Sequence, residues 1–142
     1  MSSLLSVQDL KVHFPLARKG LFGPRRAVHA VDGVSFDVRR GETFGIVGES
    51  GSGKSTTALA VMRLAPITEG AILLDGAPLD RLQGNALRTM RKRLQIIFQD
   101  PYSSLNPRFR AGDIVREPLD LIGIGTKAER EARVAELFRN VG

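Results

Sequence analysis

The clearest chemistry in the chain lies in the run Gly48, Glu49, Ser50, Gly51, Ser52, Gly53, Lys54 and Ser55. Its spacing is G-x-x-x-x-G-K-[ST], that of a phosphate-binding loop. Glycines free the backbone to curl, so that successive N–H groups point into one concavity. The positive end of a helix beginning at Lys54 would face the same concavity. Lys54 would reach the β- and γ-phosphates of a nucleotide, and the Ser55 hydroxyl would ligate Mg²⁺. The competing interpretation is a chance glycine-rich turn. The apolar run before the loop and the helical pattern after it count against chance.

The elements that must position this loop follow from periodicity. Residues 4–14 are rich in β-formers with a broken alternation (Leu5, Val7, then Leu10, Val12, Phe14) and predict a strand. Residues 15–26 hold Gly20, Gly23 and Pro24 and predict an exposed loop. Residues 27–38 predict a second strand interrupted at Asp32-Gly33, and residues 43–47 a strand with no polar alternation, buried on both faces in a parallel sheet. A helix over 54–65 would stop at Pro66, and 70–76 would be a short strand. Residues 85–93 predict a basic helix and 94–99 another buried strand. Residues 102–110 predict a loop, and 113–122 a helix kinked or interrupted by Pro118. A last helix opens on the capping box Thr126-x-x-Glu129, with Glu129 and Arg133 an i,i+4 pair and Val134, Leu137, Phe138 and Val141 its apolar stripe.

Composition bounds the class. At 142 residues, 42% hydrophobic and 25% charged, the chain is globular and long enough for one domain. Zero cysteines exclude disulfides and cysteine-ligated zinc and suit a reducing compartment. No apolar run reaches the length of a membrane span, and the N-terminus lacks the basic and apolar regions of a signal peptide, so the expected location is the cytoplasm. The net charge of +6 is dispersed; only Arg88, Arg91, Lys92 and Arg93 cluster, with no aromatics between them. A solvated helix face, or attraction to ATP or anionic headgroups, accounts for it better than nucleic acid does. His13 and His29 lie in apparent strands without partner spacing and are read as structural.

With the loop joined to Ile96-Ile97-Phe98-Gln99-Asp100-Pro101-Tyr102-Ser103-Ser104-Leu105-Asn106-Pro107, the chain resembles an ABC-transporter ATP-binding subunit, narrowly the oligopeptide/dipeptide (and nickel) importer subgroup. The resemblance covers essentially every residue and matches the N-terminal half of such a subunit. It implies an α/β fold: a P-loop NTPase core of ABC type with an N-terminal antiparallel β-subdomain and the start of a helical subdomain, incomplete within this chain. The implied organisation is 1–42 and 66–80 as β-subdomain, 43–65 as strand–loop–helix, 81–101 as helix and strand to the Q-loop, and 102–142 as the start of the helical subdomain. ATP and Mg²⁺ are the implied cofactors. Backbone groups from Ser50 to Thr56 would wrap the phosphates. Gln99 would help hold Mg²⁺ and sense the γ-phosphate; the alternative is a polar residue ending a strand. Phe14 stands where the family has an adenine-stacking aromatic, usually Tyr; the alternative is a core Phe. The loop 102–107 would meet membrane-spanning permease subunits, unless it is an ordinary polar loop, and a second ATP-binding subunit would complete the site. The expected position is peripheral, on the inner face of the cell membrane, without nucleic acid.

The family's Leu-Ser-Gly-Gly-Gln signature, Walker B Asp with catalytic Glu, D-loop and switch His have no counterpart in the 142 residues, so no catalytic residue is assigned and the resemblance implies Mg-ATP binding by a truncated subunit. With its intervening strands missing, residues 43–47 and 94–98 would face a gap, leaving backbone groups unpaired and apolar faces exposed. Two alternatives stand beside it. One is a non-catalytic module that docks on the transporter. The other is a small stand-alone P-loop NTPase or kinase in which Ala71-Ile72-Leu73-Leu74-Asp75 acts as a Walker B strand, against which Gly76 signals a turn.

Overall fold

The structure is a computed structural model and describes residues 3–17, 26–100 and 105–142. The chain divides into two compact units, Met1–Gln95 and Ile96–Gly142.

The first unit is built on a four-stranded antiparallel sheet in the order β2-β1-β3-β4, with β1 Leu5–Pro15, β2 Ala27–Val38, β3 Glu69–Leu74 and β4 Ala77–Pro78. The broken alternation of β1 has a physical cause. Register shifts fall between Val7 and Leu10 opposite β2 and between Gln8 and Lys11 opposite β3. Asp9 adopts a left-handed φ of 45°, and its N–H donates to Ser35 Oγ at 2.8 Å. This bulge restores the phase, so Val7, Leu10 and Val12 all point inward and are essentially buried. The Asp32-Gly33 interruption is likewise a bulge within a continuous β2 and not a break. The Asp75-Gly76 turn joins β3 to β4 with φ values of 55° and 77°, the left-handed pair that a two-residue hairpin turn requires.

Against the sheet lies α1 Lys54–Val61, and the core joins Val7, Leu10, Val12, Val31 and Ile72 to Ala60, Ala65 and Leu79; α2 Gly84–Arg91 adds Leu87 and Met90 at its edge. Helix α1 ends four residues before the expected 65. Arg63 turns left-handed at φ 57°, and the N–H groups of Leu64 and Ala65 both return to Leu59 O, so the backbone stops the helix before Pro66 does. The Arg91 guanidinium reaches back to the carbonyls of Met62 and Arg63 at 3.2 and 2.6 Å.

The two stretches expected as buried strands are not strands. Among the described residues neither 43–47 nor 94–99 enters a ladder, and Val47 and Ile97 are 93% and 91% exposed. Phe44 stacks on Phe36 with centroids 4.8 Å apart, which anchors the first stretch by one side chain. An apolar run reports a strand that could be covered on both faces; it becomes one only where a neighbour supplies the hydrogen bonds. No described residue does so here.

The second unit contains α3 Ala111–Ile122 and α4 Lys127–Val141. Pro118 does not interrupt α3, which runs through it at the cost of one backbone bond. The expected capping box is present: Glu129 N–H donates to Thr126 Oγ1, and Glu129 Oε2 accepts from Thr126 N–H. Charge joins the helices through Arg130 of α4, which meets Asp120 of α3 at 2.8 Å, while Arg116 bonds Asp113 and Asp120 within α3 itself. Of the expected stripe, Val134 is buried, whereas Phe138 and Val141 are exposed. Arg133 bonds Glu136 at 2.7 Å.

Two outcomes follow for this unit. Thr126→Ala removes the cap and should cost about 1 kcal/mol of α4 stability in urea unfolding. The Arg130 and Arg116 guanidinium groups hold Asp120 below its ordinary 3.8, and the Thr126 N–H and hydroxyl hold Glu129 below 4.5. Their contribution is therefore complete above those values and is lost as pH falls through the lower folded ones. Far-UV circular dichroism during acid titration should show helix loss in that window, diminished in Asp120→Asn.

Candidate functional site

The loop is positioned by the sheet. Gly53 stands at the N-terminus of α1 with a left-handed φ of 92°, and a Cβ there would collide with the Ala30 carbonyl oxygen of β2 and press on Val31. Only glycine lets the loop backbone lie this close to the strand. Gly51 is also left-handed, at φ 83°, while Gly48 takes φ 157°, where a Cβ would stand 2.8 Å from Ser52 Oγ. Ser52 N–H donates to Glu49 O at 3.2 Å and closes the turn.

Lys54 leaves the helix and folds back over the loop. Its Nζ donates to Gly48 O at 2.8 Å and Glu49 O at 2.6 Å, with Ser52 Oγ 3.4 Å away. The structure thus brings Gly48, Glu49 and Ser52 together around the Lys54 ammonium group, with Ser50, Gly51 and Gly53 in the same loop. Ser55 and Thr56 open α1 behind them. No acidic residue occupies the first turn of α1, so nothing on the helix itself competes with an anion there. Three glycines, a cation and a free helix start make a cradle that fits a polyphosphate.

Sequence reasoning missed Thr57. It is 4% exposed, and both its N–H and its Oγ1 donate to Gly53 O, at 2.8 and 3.0 Å. Those two bonds fix the carbonyl at the point where the loop becomes helix. A small hydroxyl residue three places after Lys54 was the available signal.

Phe14 pairs with Val28 near the end of β1, two residues beyond the Val12–Val31 pair on which Gly53 rests. At 39% exposure it is not a core residue. Gln99 belongs to the second unit and is exposed. Of the expected docking loop 102–107, residues 102–104 lie outside the described residues; Asn106 Oδ1 accepts from Arg108 N–H in a local turn. Much of the 15–26 loop (18–25) also lies outside them.

Asp75 is engaged elsewhere. Its carboxylate takes Arg93 and Arg40, each at 2.9 Å, and these guanidinium groups hold it below its ordinary value. Its N–H bonds Leu4 O, at the opposite end of β1 from the pair supporting Gly53. Eight residues of strand separate the two places, roughly 25 Å.

A glycine loop packed on a strand and feeding a helix N-terminus defines a P-loop protein of the α/β class. Residues 31–142 match the family described as ABC transporter, and the chain belongs to that family. It is 46% identical over 142 residues to the oligopeptide transport ATP-binding protein AppF of Bacillus subtilis, covering 99% of this chain and 43% of that protein. It is 44% identical to the probable peptide ABC transporter ATP-binding protein y4tS of Sinorhizobium fredii, covering 99% of this chain and 40% of the relative. Against the glutathione import ATP-binding protein GsiA of Salmonella typhimurium the identity is 46%, over 98% of this chain and 22% of that one. The chain thus spans less than half the length of these relatives. Among solved structures, the ATP-binding cassette MJ0796 as a post-hydrolysis dimer bound to ADP and Pi superposes with a TM-score of 0.74 at 26% identity. That match covers 93% of this chain and 54% of the cassette. The expected ABC-type α/β fold is the fold of these cassettes, over the part that this chain represents.

Gly53→Ala should therefore cost about 3 kcal/mol, combining a left-handed φ with a backbone collision. A lowered urea midpoint in the first unit checks this, and Gly51→Ala, which meets nothing within 4 Å, isolates the φ part.

Proposed function

We propose that the chain forms the phosphate-binding part of an ATP-binding subunit in an ABC importer for peptides or similar small solutes. The observation that carries this is the Lys54 ammonium group held over the glycine loop by Gly48 O and Glu49 O. Backbone N–H groups from Ser50 to Thr56 take the α- and β-phosphates, Lys54 the β- and γ-phosphates, and the Ser55 hydroxyl the Mg²⁺ ion. Gln99 supplies a second, uncharged oxygen to the metal. Phe14 offers its exposed ring to adenine; its place at the loop end of β1 supports that role. ATP supplies the free energy that drives transport when the whole assembly is formed. This chain's residues bind and orient it, and no residue here is assigned to activating water.

The names of the relatives support peptide-type solutes, and the dimeric cassette bound to ADP and Pi supports pairing with a second ATP-binding subunit. Among the described residues no helix is long and apolar enough to cross a membrane, which fits a peripheral subunit docking on permeases through 102–107.

A fluorescent ATP analogue tests the proposal. Lys54→Ala should lower Mg-ATP affinity by roughly 1.5–3 kcal/mol, about 10- to 150-fold. Asp75→Asn should leave that affinity unchanged and lower stability, because it breaks the Arg40 and Arg93 pairs. Loss of Mg²⁺-dependent binding in a folded Asp75→Asn protein would instead support the stand-alone P-loop enzyme. Binding to permease subunits without any ATP dependence would support the docking module.

A further inference from the structure

The two histidines are the only imidazoles in the protein, and the sheet brings them together. His13 and His29 are opposite one another across β1 and β2, their rings stacked with centroids 3.8 Å apart and 23° between planes. Asp32 joins them. Its Oδ1 lies 3.4 Å from His13 Nε2 and its Oδ2 3.6 Å from His29 Nδ1. In a regular strand, residues three apart point to opposite faces. Here β1 and β2 change register between the Val12–Val31 and His13–His29 pairs, which leaves Ala30 as an extra residue. That bulge turns Val31 inward, where it is buried, and sets His29 and Asp32 on the same outer face.

From this geometry we propose that His13, His29 and Asp32 form a binding site for a divalent transition-metal ion of the zinc type, separate from the phosphate loop. One donor atom from each residue lies within 4.8 Å of the other two. Two imidazoles and one carboxylate are a donor set for zinc, not for the oxygen-seeking Mg²⁺. Bonds of about 2.0–2.1 Å in a tetrahedron set donors about 3.3 Å apart, close to both Asp–His distances on this face. Three protein ligands leave the fourth position to water. The rings must open from their stack for both lone pairs to meet one ion. His29, with 55% of its side chain exposed, has room to do so. The neighbouring Lys11 ammonium is paired with Glu69 at 2.7 Å, which reduces its repulsion of a cation.

The whole chain, titrated with Zn²⁺ at pH 7.5 in millimolar Mg²⁺ and without nucleotide, provides the test. Proton NMR should show both imidazole ring systems shifting together and saturating at one equivalent, with reversal by EDTA. His29→Ala and Asp32→Asn should each weaken binding by about tenfold or more, at least what loss of a mere supporting partner costs a metal site. Co²⁺ should give the intense visible absorption of four-coordinate cobalt, a signature that a structural histidine pair would not produce. A response from one imidazole alone, affinity unchanged in the folded His29→Ala protein, or the faint spectrum of six-coordinate cobalt would overturn the proposal.

Discussion

The backbone of β1 has to change phase once, at Gln8 and Asp9, and the first unit depends on where it does so. Without that extra residue a two-residue period would carry Leu10 and Val12 to the solvent face while Val7 stayed inside. Two glycines border the change. Gly70 on β3 is left-handed and lies so close to the Gln8 and Asp9 carbonyls that a Cβ would collide with both. Gly33 on β2 would bring its Cβ to 3.1 Å from Asp9 Oδ1. The bulge places Val12, Val12 faces Val31, and Val31 with the Ala30 carbonyl forms the wall against which Gly53 rests. The phosphate loop inherits its position from a slip in a strand some forty residues earlier.

Much of this was legible in the sequence, for identifiable reasons. The interrupted pattern Leu5, Val7, Leu10, Val12 already recorded the bulge, since apolar residues keep to one face whatever the backbone does between them. Asp75-Gly76 and Thr126-x-x-Glu129 are local signals, satisfied by residues a few places apart, and both elements form where they predict. What escaped depends on distant partners. Residues 43–47 and 94–99 have the composition of covered strands, yet a ladder is a property of two segments. The His13, His29 and Asp32 cluster was equally hidden, because its proximity arises from cross-strand register and an extra residue at Ala30. Within the site, the loop was plain, and Thr57 was not, because its role lies in bonding a carbonyl and not in touching a ligand.

The basic character of the chain also resolves into specific contacts. Arg91 and Arg93 belong to the tightest positive cluster in the sequence, which invited an explanation in terms of an external anion. Instead Arg93 and Arg40 share Asp75, and Arg91 binds two backbone carbonyls after α1. Arg116 does similar duty along α3, and Arg130 between α4 and α3. These contacts fix the arginines in place without altering the net charge of +6, which already counts their acidic partners.

Helix α1 is held at both extremities by unlike means: steric contact with β2 at its start and the Arg91 fork just past its finish. Its 8 residues form a rod about 12 Å long, too short to bend appreciably. Mechanically it is a strut. A load applied where the glycines turn would be delivered, almost undiminished, to the arginine two turns away and so to the neighbouring helix that carries it.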